Sequence, residues 1–566
     1  MIQGKTTRDY TVMGRDMSLE EKIGQLFIVD IVGRKITGAL FRHFQRFKWG
    51  GVILFSRNIG SPHQVREFVS LLQQLAKSES PRIPLLVAID QEGGAVSHLT
   101  VDMALSPGNM SLGATGSPYN AYRAARISGQ ELRALGINVN LAPVLDVNNN
   151  PRNPIIGIRS FGESPELVSE LGVAAIRGYR EAGIIATAKH FPGHGDTSVD
   201  SHLALPCVPH DRERLEAMEL PPFAAAVKAG VEAVMTAHIT FPKLDGHRPA
   251  TASKPILTGI LREHMGFKGL IVTDSMSMRG MTSYAPSPEA CVQALEAGAD
   301  LLLLCGSAKH QYSCFQAVLS AVRAGRITEA RIGESLDRVL SVKSRYSLDA
   351  APLVSAEEKE SFKNEMLNIT RDSVTLVKNE NGLLPLRLKE EEKLLLIRPT
   401  FHARSLEDIG RLEAIMKRFL QSRHSNVKEL TYNLLAQRIN LASVRKEALD
   451  ARAVLLFVFA RAELPKAQKE IVKALVKMRR PPIVVSLLSP YVLDDIPEIS
   501  TYLCAYNFRE NSILAILEVL FGEVEPKGKL PITLPGLFQR GHGLVGWDHK
   551  GASFQPPNGG DTREEG

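Results

Sequence analysis

The sequence predicts an α/β protein: an N-terminal (β/α)8 barrel of the TIM type, followed by a smaller α/β domain built on an open sheet. Three observations carry this reading. Eight short apolar runs alternate with amphipathic stretches between residues 25 and 306. A second set of apolar runs resumes after the polar stretch 349–360. At 566 residues the chain is also too long for one ordinary core.

The elements follow in order. Ser18 and Glu21 frame a capping box that opens the first helix. The apolar runs are 26–32 (LFIVDIV), 51–55 (GVILF), 85–90 (LLVAID) and 137–147 (INVNLAPVLDV), then 184–190 (IIATAKH), 231–239 (VEAVMTAHI), 270–275 (LIVTDS) and 300–306 (DLLLLCG). Continuous apolar runs of this kind suit parallel strands buried on both faces. Between them, segments such as 63–77 and 165–183 space apolar residues three and four apart, as amphipathic helices do. Eight such units over some 300 residues predict a barrel, with a doubly wound open sheet as the alternative. The barrel is expected over 1–345 and a linker over 346–360. The second domain follows over 361–535, with runs at 373–379, 393–399, 453–460, 482–488 and 502–507. From 536 to 566 the chain turns Gly- and Pro-rich and reads as a flexible tail, disordered over 555–566.

Hydrophobic content of 44% and charged content of 23% are those of a globular protein. The formal charge is +7, but 68 Lys and Arg are interleaved with 61 Asp and Glu, and no basic run marks a nucleic-acid partner. No apolar run approaches the roughly 20 residues of a membrane span. The five cysteines are odd in number and include no Cys-x-x-Cys, and the polar N-terminus lacks the apolar core of a signal peptide. The chain as given therefore reads as cytoplasmic. Oligomeric state leaves no mark on the sequence.

The chemistry gathers at the ends of the predicted strands. Asp90 closes the third run, Lys189 and His190 the fifth, His238 the sixth and Asp274 the seventh. In a barrel these ends meet on one face, where the loops build the site. The segment 191–202 (FPGHGDTSVDSH) follows the fifth strand as a loop over that face. Asp200 and His202, two residues apart, can form a carboxylate–imidazole pair in which the carboxylate fixes the tautomer and favours the protonated ring. Such a pair suits proton transfer near neutral pH. His194 and Asp196 are expected to shape the loop rather than react. Asp274 could serve as nucleophile, metal ligand or structural acceptor. Lys189 beside His190 suits the binding of sugar hydroxyls or an acyl oxygen, and Arg159 adds a forked donor. Two other classes fit less well. A metal-dependent hydrolase could draw ligands from His190, His194, His202, His238 and Asp274, but Pro192 and Gly193 spoil a helical His190–His194 pair. A non-catalytic sugar-binding protein would have no need of a poised dyad.

The stretch 189–202 (KHFPGHGDTSVDSH) strongly resembles the signature of bacterial β-N-acetylhexosaminidases of glycoside hydrolase family 3. The resemblance runs through 88–94 (AIDQEGG), 141–148 (LAPVLDVN), 153–162 (NPIIGIRSFG), 234–239 (VMTAHI) and 271–278 (IVTDSMSM), and so covers the barrel. In the second domain it reaches 372–386 and 526–535. It implies a retaining exo-β-N-acetylglucosaminidase with Asp274 as nucleophile and His202, supported by Asp200, as acid/base. It further implies that Asp90, Arg159, Lys189 and His190 bind the terminal sugar, that no cofactor or metal is needed, and that the substrate is a muropeptide or related glycan of peptidoglycan recycling. The family usually carries arginines after the DQEGG motif, where this chain has Ala95 and His98; His98 is the expected substitute. A β-glycosidase of other sugar specificity, or a glycoside phosphorylase using phosphate as acceptor, is the alternative within the same resemblance.

Overall fold

Each of the eight apolar runs contains a barrel strand. The computed structural model describes residues 9–78, 80–400, 406–434, 440–478 and 481–547. The chain divides into two units, Met1–Thr370 and Arg371–Gly566.

In the first unit the barrel strands are β1 (Phe27–Asp30), β2 (Gly51–Leu54), β3 (Leu86–Ile89), β6 (Val139–Asn140), β7 (Ile185–Phe191), β8 (Ala233–Thr236), β9 (Leu270–Thr273) and β10 (Leu302–Leu304). A small antiparallel ribbon, β4 (Gln91–Gly93) with β5 (Val96–Ser97), rises from the end of β3. The sheet runs β10-β1-β2-β3-β6-β7-β8-β9, all parallel, and a bridge between Val272 and Leu301 brings β9 back to the segment entering β10. The first helix begins at Ser18, whose side chain accepts from the Glu21 amide while the Glu21 carboxylate accepts from the Ser18 amide. The amphipathic segments form helices such as Pro62–Ser78 and Pro165–Glu181, with their apolar faces buried against the strands. The fourth strand is the shortest: the run 137–147 pairs regularly only at Val139–Asn140, and the chain past Pro143 rejoins β7 by a single bridge, Val144 to Lys189. A proline offers no amide to a ladder, which cuts the pairing short.

The stretch expected as a linker, 346–360, is bonded to the barrel unit. The Ala351 amide donates to Arg133, the Leu348 carbonyl accepts from Gln73, and Lys359 pairs with Asp102. From Ala356 it is already part of a helix, Ala356–Ser373, so the division between units falls later than 361.

The second unit is a six-stranded sheet. Its strands are β11 (Thr375–Asn379), β12 (Leu394–Thr400), β13 (Val427–Asn433), β14 (Ala453–Val458), β15 (Ile483–Ser486) and β16 (Thr501–Cys504), in the order β11-β16-β15-β14-β12-β13. Every pairing is parallel except β11 with β16. The expected flexible tail needs correcting over 536–547: the Leu544 amide donates to Leu376, Leu530 and His542 pair through their backbones, and the His542 ring stacks on Phe538. The remainder, 548–566, with the expected disorder at 555–566, lies outside the described residues. Among the described residues no helix is long and apolar enough to cross a membrane, and the five cysteines are free thiols.

Candidate active site

Strands that end together place their following residues in one ring. Lys189, near the end of β7, is 2% exposed, and its Nζ donates to Asp90 Oδ1 at 2.6 Å and to Glu92 Oε1 at 2.7 Å. Asp90 immediately follows β3, and Glu92 lies on the ribbon that rises from it. Arg159, at the end of the turn Gly157–Arg159, lays its guanidinium on the same Glu92: Nε meets Oε2 at 2.9 Å and Nη2 meets Oε1 at 2.8 Å. Asn109 holds the Arg159 carbonyl at 2.7 Å. Burial opposes charge on Glu92, Arg159 and Lys189. The Arg159 and Lys189 cations nevertheless hold the Glu92 carboxyl well below its usual range, and the carboxylates hold both cations above theirs. The result is a fixed, charge-balanced lattice that offers donors and acceptors without needing to reorganise.

His190 adds an imidazole beside it. Its Nδ1 meets Asp146 Oδ2 at 2.7 Å, and Arg159 Nη2 lies 3.5 Å from its Nε2. Asp146 is fully buried and also accepts from the backbone amides of His190 and His194, at 3.1 and 2.7 Å. Burial works against the Asp146 anion, but the His190 and His194 rings and the His194 amide hold its pKa below the ordinary range. One carboxylate thus orients the His190 ring and pins the start of the loop.

The loop after β7 is built around His194. Its Nδ1 meets Thr197 Oγ1 at 2.8 Å and its Nε2 meets Ser201 Oγ at 3.0 Å. Burial, with the nearby positive charges, pushes its pKa down to about 4, so the ring is neutral at physiological pH. Gly195 is required by proximity: a Cβ there would lie 1.6 Å from the Val147 carbonyl oxygen. Gly193 has φ +136°, where a side chain would be strained. Asp196 pairs with His210 at 2.6 Å. The loop then carries Asp200 and His202: Asp200 Oδ1 accepts from the His202 backbone amide and meets Nδ1, both at 2.8 Å. The His202 side chain is 56% exposed, and among the described residues its Nε2 has no protein partner. Next to it, the Ser201 carbonyl accepts from the Gly280 amide at 2.9 Å, which ties this loop to the one that follows β9.

Asp274 is the first residue past β9 and is partly buried. Its Oδ1 accepts from the Ser275 amide at 2.7 Å. His238 holds the next peptide, with Nε2 to the Ser275 carbonyl at 3.0 Å and Nδ1 to Thr251 Oγ1 at 2.8 Å. Desolvation alone would raise the Asp274 pKa; the His238 and His190 imidazoles, the Ser275 amide and the Lys189 ammonium outweigh it and hold the carboxyl below its usual range. At neutral pH the group is a carboxylate with Oδ1 engaged and Oδ2 without a hydrogen-bond partner among the described residues.

His98 follows the β4–β5 ribbon. Its amide donates to Gln91 Oε1 at 3.0 Å and its Nδ1 meets Ser56 Oγ at 2.8 Å, while burial lowers its pKa. Asp90, Arg159, Lys189 and His190 therefore form one bonded cluster, with His98 at its edge. Asp274 faces it from β9, and the Asp200–His202 pair stands on the neighbouring loop. The sequence reading missed Glu92 and Asp146, the two carboxylates that hold the cluster together. Asp146 carried the same signal as Asp90, a polar residue near the end of an apolar run. Glu92 was visible only as a carboxylate two residues past Asp90. The alternative metal set does not assemble: both ring nitrogens of His194 and of His238 are engaged by protein groups, and no cluster of three metal-ligating side chains occurs among the described residues.

The family model for the glycosyl hydrolase family 3 N-terminal domain matches residues 18–342, and that for the family 3 C-terminal domain matches 374–550. The chain is 31% identical over 540 residues to beta-hexosaminidase A of Pseudoalteromonas piscicida, covering 86% of this chain and 90% of the relative. It is 33% identical over 403 residues to a beta-N-acetylglucosaminidase/beta-glucosidase of Cellulomonas fimi, covering 67% of this chain and 68% of that one. In three dimensions it is similar to a family 3 beta-N-acetylglucosaminidase from Paenibacillus sp. str. FPU-7, with a TM-score of 0.85 and 37% identity over 92% of this chain and 99% of the other. The closed parallel barrel with its charged ring, the second sheet unit and these matches to both halves agree: the chain belongs to glycosyl hydrolase family 3 and is a glycoside hydrolase.

Proposed function

We propose that the chain is a retaining exo-β-N-acetylglucosaminidase that removes terminal β-linked N-acetylglucosamine from glycans such as peptidoglycan fragments. The observation that carries this reading is the pairing of an open carboxylate, Asp274, with a separate carboxylate-held imidazole, His202, on adjoining loops. Asp274 attacks the anomeric carbon and forms a glycosyl ester as the bond to the leaving oxygen breaks. Protonated His202 gives its Nε2 proton to that oxygen, while Nδ1–H stays on Asp200. The neutral ring then takes a proton from water, whose oxygen attacks the anomeric carbon and frees Asp274. This is the two-step retaining scheme with an imidazole in place of the second carboxyl group. Asp90, Lys189, Arg159, His190 and His98 hold the sugar through hydroxyl contacts. The names of the relatives from Pseudoalteromonas and Paenibacillus support the acetamido sugar.

Release of nitrophenol from a β-N-acetylglucosaminide and from a β-glucoside, each with and without a chelator, tests this. Fast, chelator-insensitive turnover of the first is expected. Preference for the glucoside would overturn the sugar assignment, and chelator-sensitive activity would overturn the proposed chemistry. A neutral imidazole repels an incoming anion less than a carboxylate would, so phosphate is the competing acceptor. Identical products with and without phosphate would exclude it.

A further inference from the structure

Arg57 is a cation on the barrel rim that the proposed mechanism does not use. It follows β2 in the short turn Ser56–Asn58, and its Nη2 pairs with Asp30 Oδ2 at 2.5 Å. Asp30 ends β1 and is 9% exposed; its Oδ1 accepts from the Gly306 amide and from Gln311 Nε2, each at 3.0 Å. The turn itself is locked by the buried Asn58, which bonds the carbonyls of Ile31 and Gly33 and the amide of Phe55. The Arg57 guanidinium lies 4.4 Å from the Phe55 ring centroid, and the His98 ring meets the same phenyl edge-on at 5.6 Å. Arg57 is thus held in place from below and from one side. Its side chain is still 46% exposed, and Nε and Nη1 have no protein partner among the described residues.

The neighbours of this guanidinium are groups of the site. The barrel order β10-β1-β2-β3 sets Arg57 between the loop that carries His98 and the one that carries Cys305. The electrostatic surroundings agree: His98 lies within reach of Asp90, Glu92, Lys189 and Arg57, and Cys305 within reach of Asp30, Asp274 and Arg57. Asp90 engages Lys189 through Oδ1, and its Oδ2, with no protein partner among the described residues, is left for a ligand. A fixed carboxylate acceptor and a fixed guanidinium donor on one rim, both within electrostatic reach of the His98 imidazole, match two adjacent hydroxyls. One hydroxyl donates to the carboxylate, and its neighbour accepts from the guanidinium.

We infer that Arg57, with Asp90 and His98, binds the vicinal diol of the terminal sugar and makes the enzyme selective for the configuration of that diol. This rests on the glycosidase reading above. In an unsubstituted N-acetylglucosaminide the only adjacent hydroxyls are those at C3 and C4, so the contact falls at the end of the sugar away from the bond that is cut.

The test is a cycle between enzyme and substrate. Wild type, Arg57→Ala and Arg57→Lys are each assayed on nitrophenyl β-N-acetylglucosaminide and on its 3-deoxy and 4-deoxy analogues. A hydrogen bond to a charged group is worth about a 10- to 100-fold change in kcat/KM. Wild type is expected to lose that factor, mainly through KM, on one of the two analogues. Arg57→Ala starts lower by a similar factor and loses less than about threefold further on that analogue. If the deoxy penalty is as large in the variants as in wild type, or if wild type shows none at either position, the inference is overturned. Arg57→Lys keeps a cation against Asp30, so it carries the cycle if the alanine variant fails to fold. If wild type prefers glucosides, the acetamido reading fails by itself, and the same cycle on deoxyglucosides still decides the role of Arg57.

Discussion

Replacing Glu92 by Gln keeps the shape of the side chain and removes one charge from the centre of the site. The Glu92 carboxylate accepts three bonds from cations: from Lys189 at 2.7 Å and from Arg159 at 2.8 and 2.9 Å. Its side chain is 3% exposed, and those of Lys189 and Arg159 are 2% and 15% exposed, so water cannot take over its role. Breaking a buried ion pair by removing one partner costs about 3–5 kcal/mol. With an unfolding entropy of about 2.1 cal/mol/K per residue over the 370 residues of the barrel unit, that corresponds to a fall of about 4–6 °C in Tm. The pH dependence has a definite sign. Burial would raise the Glu92 pKa from 4.5, but Arg159 and Lys189 depress it, so its contribution is present above the unfolded value and lost as pH falls below it. The deficit of Glu92→Gln against wild type is therefore largest at pH 7 and shrinks below about pH 4.5. Melting curves of the full chain at pH 7 and pH 4 measure both. A variant within about 1 °C of wild type at pH 7, or a deficit that grows on acidification, would refute the reasoning.

Asp200→Ala frees the His202 ring and is expected to lower kcat by about 10²–10³-fold. The loss should be smaller on a dinitrophenyl glycoside, which needs no protonation to leave; equal losses on good and poor leaving groups would argue against an acid role. His194 titrates from about 4 in the folded protein against 6.5 unfolded, so the unfolded chain binds more protons between those values and stability falls as pH drops through that window. His194→Gln should flatten that limb of the Tm–pH profile, at the expense of a less ordered loop and a lower kcat. Lys343 is fully buried; its Nζ donates to Gln25 Oε1 and the Gly50 carbonyl, both at 2.8 Å, and burial pushes its pKa down to about 7. The unfolded chain binds the extra proton between 7 and 10.5, so the barrel gains stability as pH rises through that range, and Lys343→Met should abolish the gain.

The strands of the barrel were legible because burial on both faces makes each one an unbroken apolar run. The strand of the second sheet that the sequence reading missed, β13, shows the converse. Its run 427–433 (VKELTYN) lies at a sheet edge, most of its side chains are exposed, and only Tyr432 is buried, so no apolar signal survives. In the site, Asp274, Lys189 and His190 were legible as polar residues closing apolar runs, and Asp200 with His202 by their spacing. Glu92 was not singled out because what marks it is its partner Arg159, 67 positions away; Asp146 carried a strand-end signal, but its role shows only through His190, 44 positions on. Arg57 sits in an ordinary polar turn, and its partner Asp30 is 27 positions away. Side chains that act through distant partners become visible only once the barrel has closed. The Gly-rich segment 536–547 misled for a related reason: its order comes from backbone bonds to β11 and to residue 530, which composition does not report.

The claim that Asp274 becomes covalently glycosylated is tested most directly by trapping. The enzyme is incubated with a fluorinated N-acetylglucosaminyl fluoride that slows release of the intermediate, then digested and read by mass spectrometry. A single sugar adduct on the peptide that carries Asp274, absent in Asp274→Asn, is the predicted result. An adduct on another carboxylate, or turnover with inversion at the anomeric carbon and no adduct, would contradict the account.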